Sequence, residues 1–314
     1  MTEIYSEKWG VIVNPVAGKR RLRKEWINIY RTLKRAAIQF SVQSTEYPGH
    51  ATEIAQNLIK TGFRKILVIG GDGTLNETVN GIFNSTTGKT TEITLALIPY
   101  GTGNDWARYC GLNRLSRKQI VDVLYQRNTI KVDIGRMSYT QDQKPRTQYF
   151  INGAGFGFDG LVVDITNRLK RIFGGHAWVY SLSLLISIFQ YKSAHFIIES
   201  KNHRIDDKIF TMSIGNGCYS GGGLKQTDGI PTDGLFFVTS IHRPTFLKII
   251  HGLNLLFKDQ LYLHPLAEVI ETDSFTVTTQ NQNIETDGIE IQGDGTYHFS
   301  IIPQAINMVI KKNE

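Results

Sequence analysis

Cysteine is scarce in this chain. Cys110 and Cys218 are the only two among 314 residues, and neither belongs to a CxxC or Cys/His spacing. Neither a disulfide framework nor a zinc site is expected from such usage. The eight histidines are scattered, without an HxxxH or HExxH pair, so the helix-borne zinc motifs are missing too. Long apolar runs are also lacking. No stretch reaches the roughly 18–20 apolar residues of a membrane-spanning helix, and the longest candidate, Ala177 to Phe189, carries three serines and a tyrosine. The opening residues Met1 to Lys8 have no apolar core of a signal peptide. A cytoplasmic protein is the expectation, one that touches membranes only peripherally. Internal repeats and low-complexity tracts are absent. Acidic residues are outnumbered 28 to 35 by lysine and arginine, for a net charge of +7. A basic excess suits nucleotides, anionic lipid headgroups or nucleic acid. No recognition motif or aromatic–basic patch supports the last of these, so no nucleic-acid partner is expected. Part of the excess is local, in Lys19, Arg20, Arg21, Arg23 and Lys24.

An apolar content of 41% is that of a globular chain, and the length holds one large domain or two ordinary ones. The first 130 residues or so alternate strand and helix. Trp9–Val13 reads as a strand, Leu22, Trp26, Ile29 and Leu33 recur at helical spacing, and Phe40 and Val42 mark a second strand. Ala51, Ile54, Ala55, Leu58 and Ile59 line one helix face, followed by strands at Lys65–Ile69 and Ile93–Pro99. This alternation predicts a doubly wound parallel sheet over residues 1–133. After Asp133 short alternating runs dominate, including Phe196–Glu199, Ile209–Ile214 and Phe275–Thr279. They predict an antiparallel β-sandwich over 134–314 with inserted helices at Leu161–Lys170, Ala177–Tyr191 and Thr245–Phe257. The last segment, about 304–314, is expected to return to the first domain.

The most informative stretch is Gly70-Gly71-Asp72-Gly73-Thr74, between the strand Lys65–Ile69 and a helix start at Leu75-Asn76-Glu77. A glycine-rich turn there brings backbone N–H groups close to a phosphate. An aspartate inside it offers an oxygen to a phosphate-bound Mg²⁺. The competing reading is a tight turn whose aspartate caps the helix. Two further loops, Asn14-Pro15-Val16-Ala17-Gly18 and Gly101-Thr102-Gly103-Asn104-Asp105, also leave strand C-termini, where parallel α/β folds bind ligands. Two strings are decoys. Gly155 to Gly160 matches GxGxxG, but Val179, Tyr180 and Ser181 stand where a dinucleotide site needs an acidic residue. Gly88-Lys89-Thr90 resembles the end of a phosphate loop, but Phe83 replaces its first glycine.

The three loops, in this order, resemble the diacylglycerol kinase family of lipid kinases, including its bacterial and sphingosine-kinase branches. Val132-Asp133-Ile134-Gly135, Phe150-Ile151-Asn152-Gly153 and Asp233-Gly234-Leu235 extend the resemblance along nearly the whole chain. It implies an NAD-kinase- and phosphofructokinase-like first domain that binds ATP through Asn14, Pro15, Val16, Ala17, Gly18, Lys19 and Thr45. Gly70, Gly71, Asp72, Gly73, Thr74, Leu75 and Asn76 would cradle the phosphates, with Gly101, Thr102 and Asn104 as further contacts. Asp72, Asp105 and Asp133 would form the Mg²⁺–water network. The competing readings are a helix cap for Asp105 and a turn for Asp133. A second metal position is implied at Asp233, with the Ile230 and Leu235 backbone; its alternative is an ordinary turn. The family's β domain usually ends in Asp-Gly-Glu, with the glutamate as general base. Here Glu285-Thr286-Asp287-Gly288-Ile289-Glu290 puts Ile289 in that place. Glu290, one residue late, is the candidate base and Asp287 the fallback. A bulge at Asp287-Gly288 would restore the aim of Glu290.

The activity implied is Mg²⁺-dependent transfer of phosphate from ATP to the hydroxyl of a diacylglycerol-like or sphingoid-like lipid. Transient contact with an anionic membrane surface follows from the substrate. The sequence leaves oligomeric state open, a homodimer being one outcome. Trp178, Tyr180, Leu182, Leu184, Leu185, Ile188 and Phe189 are candidates to line the lipid site, core packing being the alternative for most. Two other readings stand beside this one: a soluble-substrate kinase such as NAD kinase, and a non-catalytic nucleotide- or lipid-binding protein on a kinase scaffold.

Overall fold

The computed structural model describes residues 7–18, 21–85, 87–113, 116–126, 128–174 and 177–311. They divide into two units, Met1–Val132 with Gln304–Glu314, and Asp133–Pro303. In the first unit, β1 (Trp9–Val13), α1 (Arg21–Arg35), β2 (Phe40–Ser44), α2 (His50–Lys60), β3 (Lys65–Gly70), α3 (Asp72–Phe83) and β4 (Thr94–Pro99) alternate as their hydrophobic periods predict. Two further helices follow, α4 (Asp105–Tyr109) and α5 (Arg117–Gln126). Strand β1 pairs in parallel with β2 on one side and β3 on the other, and β3 pairs with β4. All five residues of β1 are buried, as are the last five of β3. That is the pattern of a parallel sheet covered on both faces. The order β2-β1-β3-β4 reverses direction between β1 and β3, which creates a crevice at the C-terminal strand ends.

The second unit is antiparallel. It takes in most of β5 (Thr129–Gln141), then β6 (Lys144–Phe150), β7 (Gly153–Gly157), β8 (Ala194–Ser200) and β9 (Arg204–Gly215). A two-stranded ribbon, β10 (Tyr219–Ser220) and β11 (Leu224–Lys225), precedes β12 (Phe236–His242), β13 (Ala267–Thr272) and β14 (Ser274–Thr279). The hairpin β15 (Ile284–Thr286) and β16 (Ile289–Ile291) leads into β17 (Thr296–Val309). The inserted helices are α6 (Phe158–Phe173), α7 (Ala177–Gln190) and α8 (Phe246–Leu256). Strand β9 pairs with β8 through its first half and with β7 and β12 through its second. Such a change of partner bends a sheet around its own core. That core is aromatic: Phe150, Phe156, Phe196, Phe236, Phe275 and Phe299 are all buried in one cluster. Phe275 and Phe299 stack with centroids 4.8 Å apart. The end of β17 leaves this unit and lies parallel to β4, with Asn307 beside Thr94.

The fold class is thus the one the sequence predicts, with longer elements. Helix α6 starts three residues before its first periodic residue, Leu161, and β5 and β6 form a long hairpin whose tip, Asp142-Gln143, has positive φ at both residues. Of the α7 side chains read as candidates for a lipid site or for core packing, Leu184 and Ile188 are buried, while Trp178, Leu185 and Phe189 are exposed.

Candidate active site

Three loops of the first unit leave the C-terminal ends of β1, β3 and β4. They are tied together by their own polar groups. The Asn14 amide donates to the Thr74 hydroxyl at 3.0 Å, and its carbonyl oxygen accepts the Val16 N–H at 3.2 Å. The Tyr100 N–H donates to the Gly70 carbonyl. Asn104, at φ 55°, accepts the Gly101 N–H at 2.7 Å and donates back to the Gly101 carbonyl at 3.0 Å. Gly71 and Gly101 meet backbone to backbone: a Cβ on Gly71 would lie 2.7 Å from the Gly101 Cα. No side chain is admitted there. Helix α3 begins on Gly71 without a side-chain cap. No side chain of the N-cap residue caps the first turn, and the space around Gly73 is open. An uncapped helix N-terminus of this length suits an anion.

Asp72 stands at that terminus, and its Oδ1 accepts the Trp106 N–H at 3.3 Å. Burial raises its pKa, opposed by the amides of Trp106, Asp105 and Asn104. A cation nearby would favour the charged form. Asp105 is buried at the start of α4. Thr45 donates its N–H to the Val13 carbonyl just past β2. Pro15, Ala17 and Gly18 are partly exposed in the first loop, Val16 fully, and Thr102 is exposed in the third. Leu75 and Asn76 are buried inside α3. Lys19 and Arg20 lie outside the described residues.

The remaining expected residues lie in the second unit. Asp133 is fully buried, and its Oδ2 accepts the Gly234 N–H at 2.8 Å while its own N–H donates to the Pro231 carbonyl. It thereby holds the loop that carries Ile230, Asp233 and Leu235. In that loop the Ile230 carbonyl accepts from Thr232, and the exposed Asp233 accepts the Leu235 N–H at 2.9 Å. Asp287 accepts three backbone N–H groups, from Ile151, Asn152 and Gly153, at 2.9–3.0 Å. A carboxylate so saturated is a poor proton acceptor. Asp287 and Gly288 both have positive φ, 47° and 80°, and Thr286 pairs with Ile289 across the turn. This is a regular two-residue hairpin turn of the primed class, not the bulge expected at Asp287-Gly288. Side chains directly opposite share a face, so Glu290 shares one with Glu285, and Ile289 points the other way to pack on the aromatic core. Glu290 is exposed.

Two carboxyls went unnoticed in the sequence. Glu285 is buried and Asp159 half-buried, both beside Gly155 where α6 packs on β15. Burial pushes Glu285 up to about 8, opposed by the Gly288 amide and reinforced by the charge of Asp159. Burial raises Asp159 to about 6 against hydrogen bonds from Ser213 and Thr211. Asp159 also lines a small cleft, partly open to solvent, whose walls are mostly apolar: Phe158, Leu184, Phe210, Ile249 and Leu253 among them. Asp159 sits inside the glycine-rich string read above as a decoy. Both folded pKa values exceed the ordinary 3.9–4.3. The folded chain therefore keeps protons that the unfolded chain has released, so stability falls as pH rises from about 4 to about 8. Glu285→Gln removes that ionisation. It is expected to flatten the fall of melting temperature between pH 5 and 9 and to add about 2 kcal/mol at pH 9. Thermal melts across pH would contradict this if both proteins lost stability equally.

Residues 8–137 match the diacylglycerol kinase catalytic domain, and residues 153–310 match the YegS C-terminal NAD kinase beta sandwich-like domain. A diacylglycerol kinase of Staphylococcus haemolyticus is 30% identical over 285 residues, covering 88% of this chain and 82% of its own length. The chain belongs to the diacylglycerol kinase family. A Bacillus subtilis diacylglycerol kinase is 27% identical over 76% of this chain and 75% of its own. A crystal structure titled as a diacylglycerol kinase from Bacillus anthracis superposes with a TM-score of 0.68 at 20% identity, covering 97% of both chains, and shares the fold. Among the described residues no cluster of three His, Cys, Asp or Glu forms a metal cage. On the β15–β16 hairpin Ile289 is partly buried against the aromatic core.

Proposed function

We propose that this protein is an ATP- and Mg²⁺-dependent lipid kinase whose acceptor is the hydroxyl of a diacylglycerol-like or sphingoid-like lipid. The convergence of the three strand-end loops, closed over Gly71 and Gly101, carries the reading. The close approach of Gly71 to Gly101 and the open space at Gly73 leave the uncapped N-terminus of α3 accessible to a phosphate. Magnesium needs few protein ligands when it travels with phosphates and waters, so Asp72, with Asp105 through water, fits as its partner. Bound there, the ion neutralises phosphate charge. The first-turn amides of α3 bind and orient the phosphates, and Asn14 locks Thr74 in the cradle. The lipid oxygen forms the new P–O bond as the bond to ADP breaks. Positioning accounts for most of such catalysis.

The hydroxyl proton needs a carboxylate. Asp287 is occupied by three amides, so Glu290 is the better acceptor on the hairpin. The apolar cleft beside α7 and α8 suits the hydrocarbon part of the substrate. Phosphorylation of diacylglycerol in detergent micelles, with and without Mg²⁺, tests the reading. Turnover that requires Mg²⁺ is expected, and Glu290→Gln is expected to lower kcat by about 100-fold. Unchanged turnover in that variant would remove Glu290 from the mechanism. The commitment of Ile289 to the core favours one alternative, a protein that binds nucleotide without transferring phosphate. Saturable ATP binding with no phosphorylated lipid would support that alternative.

A further inference from the structure

Two rings stand stacked just past the C-terminal end of β2. Tyr47 and His50 lie parallel, with centroids 4.4 Å apart and an interplanar angle of 0°. Tyr47 is 48% exposed, and among the described residues no other ring contacts it. One face of the phenol is covered by the imidazole, and much of the ring remains open to solvent. The stack is held by its own hydrogen bonds. Tyr47 Oη donates to Glu53 Oε2 at 2.9 Å. His50 Nδ1 accepts the Glu46 N–H at 3.1 Å, which puts the proton of the neutral ring on Nε2. The His50 N–H donates to the Tyr47 carbonyl, and Gly49, at φ 87°, turns the chain between them. An exposed ring fixed in this way is preorganised, so little freedom is lost when a flat ligand lies on it.

Other elements fix where the stack stands. Its loop begins at Thr45, whose N–H donates to the Val13 carbonyl, so it leaves the sheet beside the Asn14 loop. Helix α2 has no cap from its own N-cap residue, Gly49. Glu77 of α3 takes that place: Oε1 accepts the Gly49 N–H at 2.9 Å and Oε2 the Ala51 N–H at 3.2 Å. Glu77 lies about 5 Å along the helix axis beyond Thr74, close to one turn. The stack is thereby tied to the helix whose N-terminus is open to a phosphate. Strand β1 separates β2 from β3, so the ends of β2 and β3 are about 10 Å apart, two strand spacings. The ribose and α-phosphate of a nucleotide cross such a gap, with the terminal phosphates at α3 and the base over the loop after β2.

We infer that the open face of Tyr47 is the platform on which the purine ring of the nucleotide stacks, with His50 backing it and Glu77 fixing its distance from the phosphates. The inference rests on the nucleotide-binding part of the lipid-kinase reading and adds to it the residue that meets the base. A ring face carries no hydrogen-bond code. The platform therefore selects ring area, favouring purine over pyrimidine nucleotides.

The test is calorimetric titration of the full chain with Mg-ATP and, as a probe without a base, Mg-tripolyphosphate. Tyr47→Ala is expected to weaken ATP binding about tenfold while tripolyphosphate binding stays within about twofold. Tyr47→Phe keeps the ring and loses only the bond to Glu53, and is expected to bind ATP within about threefold of wild type. CTP is expected to bind the wild type more weakly than ATP and to lose less in Tyr47→Ala. Unchanged ATP binding by Tyr47→Ala overturns the inference and leaves the nucleotide site standing. Equal loss of ATP and tripolyphosphate overturns it too, because Tyr47 would then only support the loop. A wild type that binds neither probe refutes the nucleotide reading and the platform with it. A chain that binds ATP through Tyr47 yet phosphorylates no lipid keeps the platform and refutes the kinase reading alone.

Discussion

Asp72→Asn is expected to reduce phosphoryl transfer by about 1,000-fold or more in kcat while leaving the melting temperature within about 2 °C of wild type. The asparagine keeps a carbonyl oxygen where Oδ1 accepts the Trp106 N–H, so the junction of α3 and α4 survives. What it loses is the negative charge at a helix N-terminus surrounded by backbone donors. Only the aspartate partners a cation that travels with phosphate, and removing one strong electrostatic contact in a water-poor site costs about three orders of magnitude. Asp72→Ala would also lose the hydrogen bond, at about 1 kcal/mol of stability. Comparing the two variants by kinetics and thermal melts separates the chemical from the structural contribution. If Asp72→Asn kept more than a tenth of wild-type kcat, Asp72 would be a capping residue only.

Gly160→Ala is expected to give the largest loss of stability. Gly160 lies in the first turn of α6, buried where that helix crosses the approach to β15. A Cβ there would lie 2.2 Å from the Asn283 carbonyl oxygen, which already accepts the Gly157 N–H. The obstacle is backbone, so no side chain can swing aside. Either α6 lifts from β15, exposing the Asp159–Glu285 pair and Phe158, or the Gly157 bond breaks. Overpacking of this kind costs about 3 kcal/mol, or roughly 6–12 °C in melting temperature for a unit of this size. Gly71→Ala makes a different contact, with Gly101 in the first unit. Its effect is expected mainly in ATP affinity, weakened about tenfold or more, as titration with a non-hydrolysable ATP analogue would show.

The contrast between these two glycines shows how far the sequence could be read. Gly71 sits in a strand–loop–helix string whose spacing carries its own meaning, since short-range rules decide where β3 ends and α3 begins. Gly160 belongs to a string that looks like a dinucleotide motif. Its reason lies in Asn283, more than a hundred residues along the chain, and no local rule points there. The same distance hid the two carboxyls: Asp159 and Glu285 look like ordinary polar residues until α6 packs on β15. The parallel sheet was legible because its strands are buried on both faces and read as unbroken apolar runs. The hairpin at Asp287-Gly288 was half legible. Its turn residues are plain, but a regular turn and a bulge differ by one residue of register, and only the pairing of Thr286 with Ile289 decides between them. The apolar residues of α7 mark a helix but not its environment, so the sequence could not separate the exposed Trp178 and Phe189 from the buried Leu184 and Ile188.

Transfer of labelled phosphate from γ-labelled ATP into the organic-extractable fraction tests the central claim most directly. The panel would hold diacylglycerol, monoacylglycerol, sphingosine, ceramide and phosphatidylglycerol, with wild type and Asp72→Asn side by side. The lipid-kinase account expects one of these lipids to become labelled in the presence of Mg²⁺ by the wild type only. Label that stays wholly in the aqueous fraction for every lipid, from a chain shown to bind ATP, would contradict it.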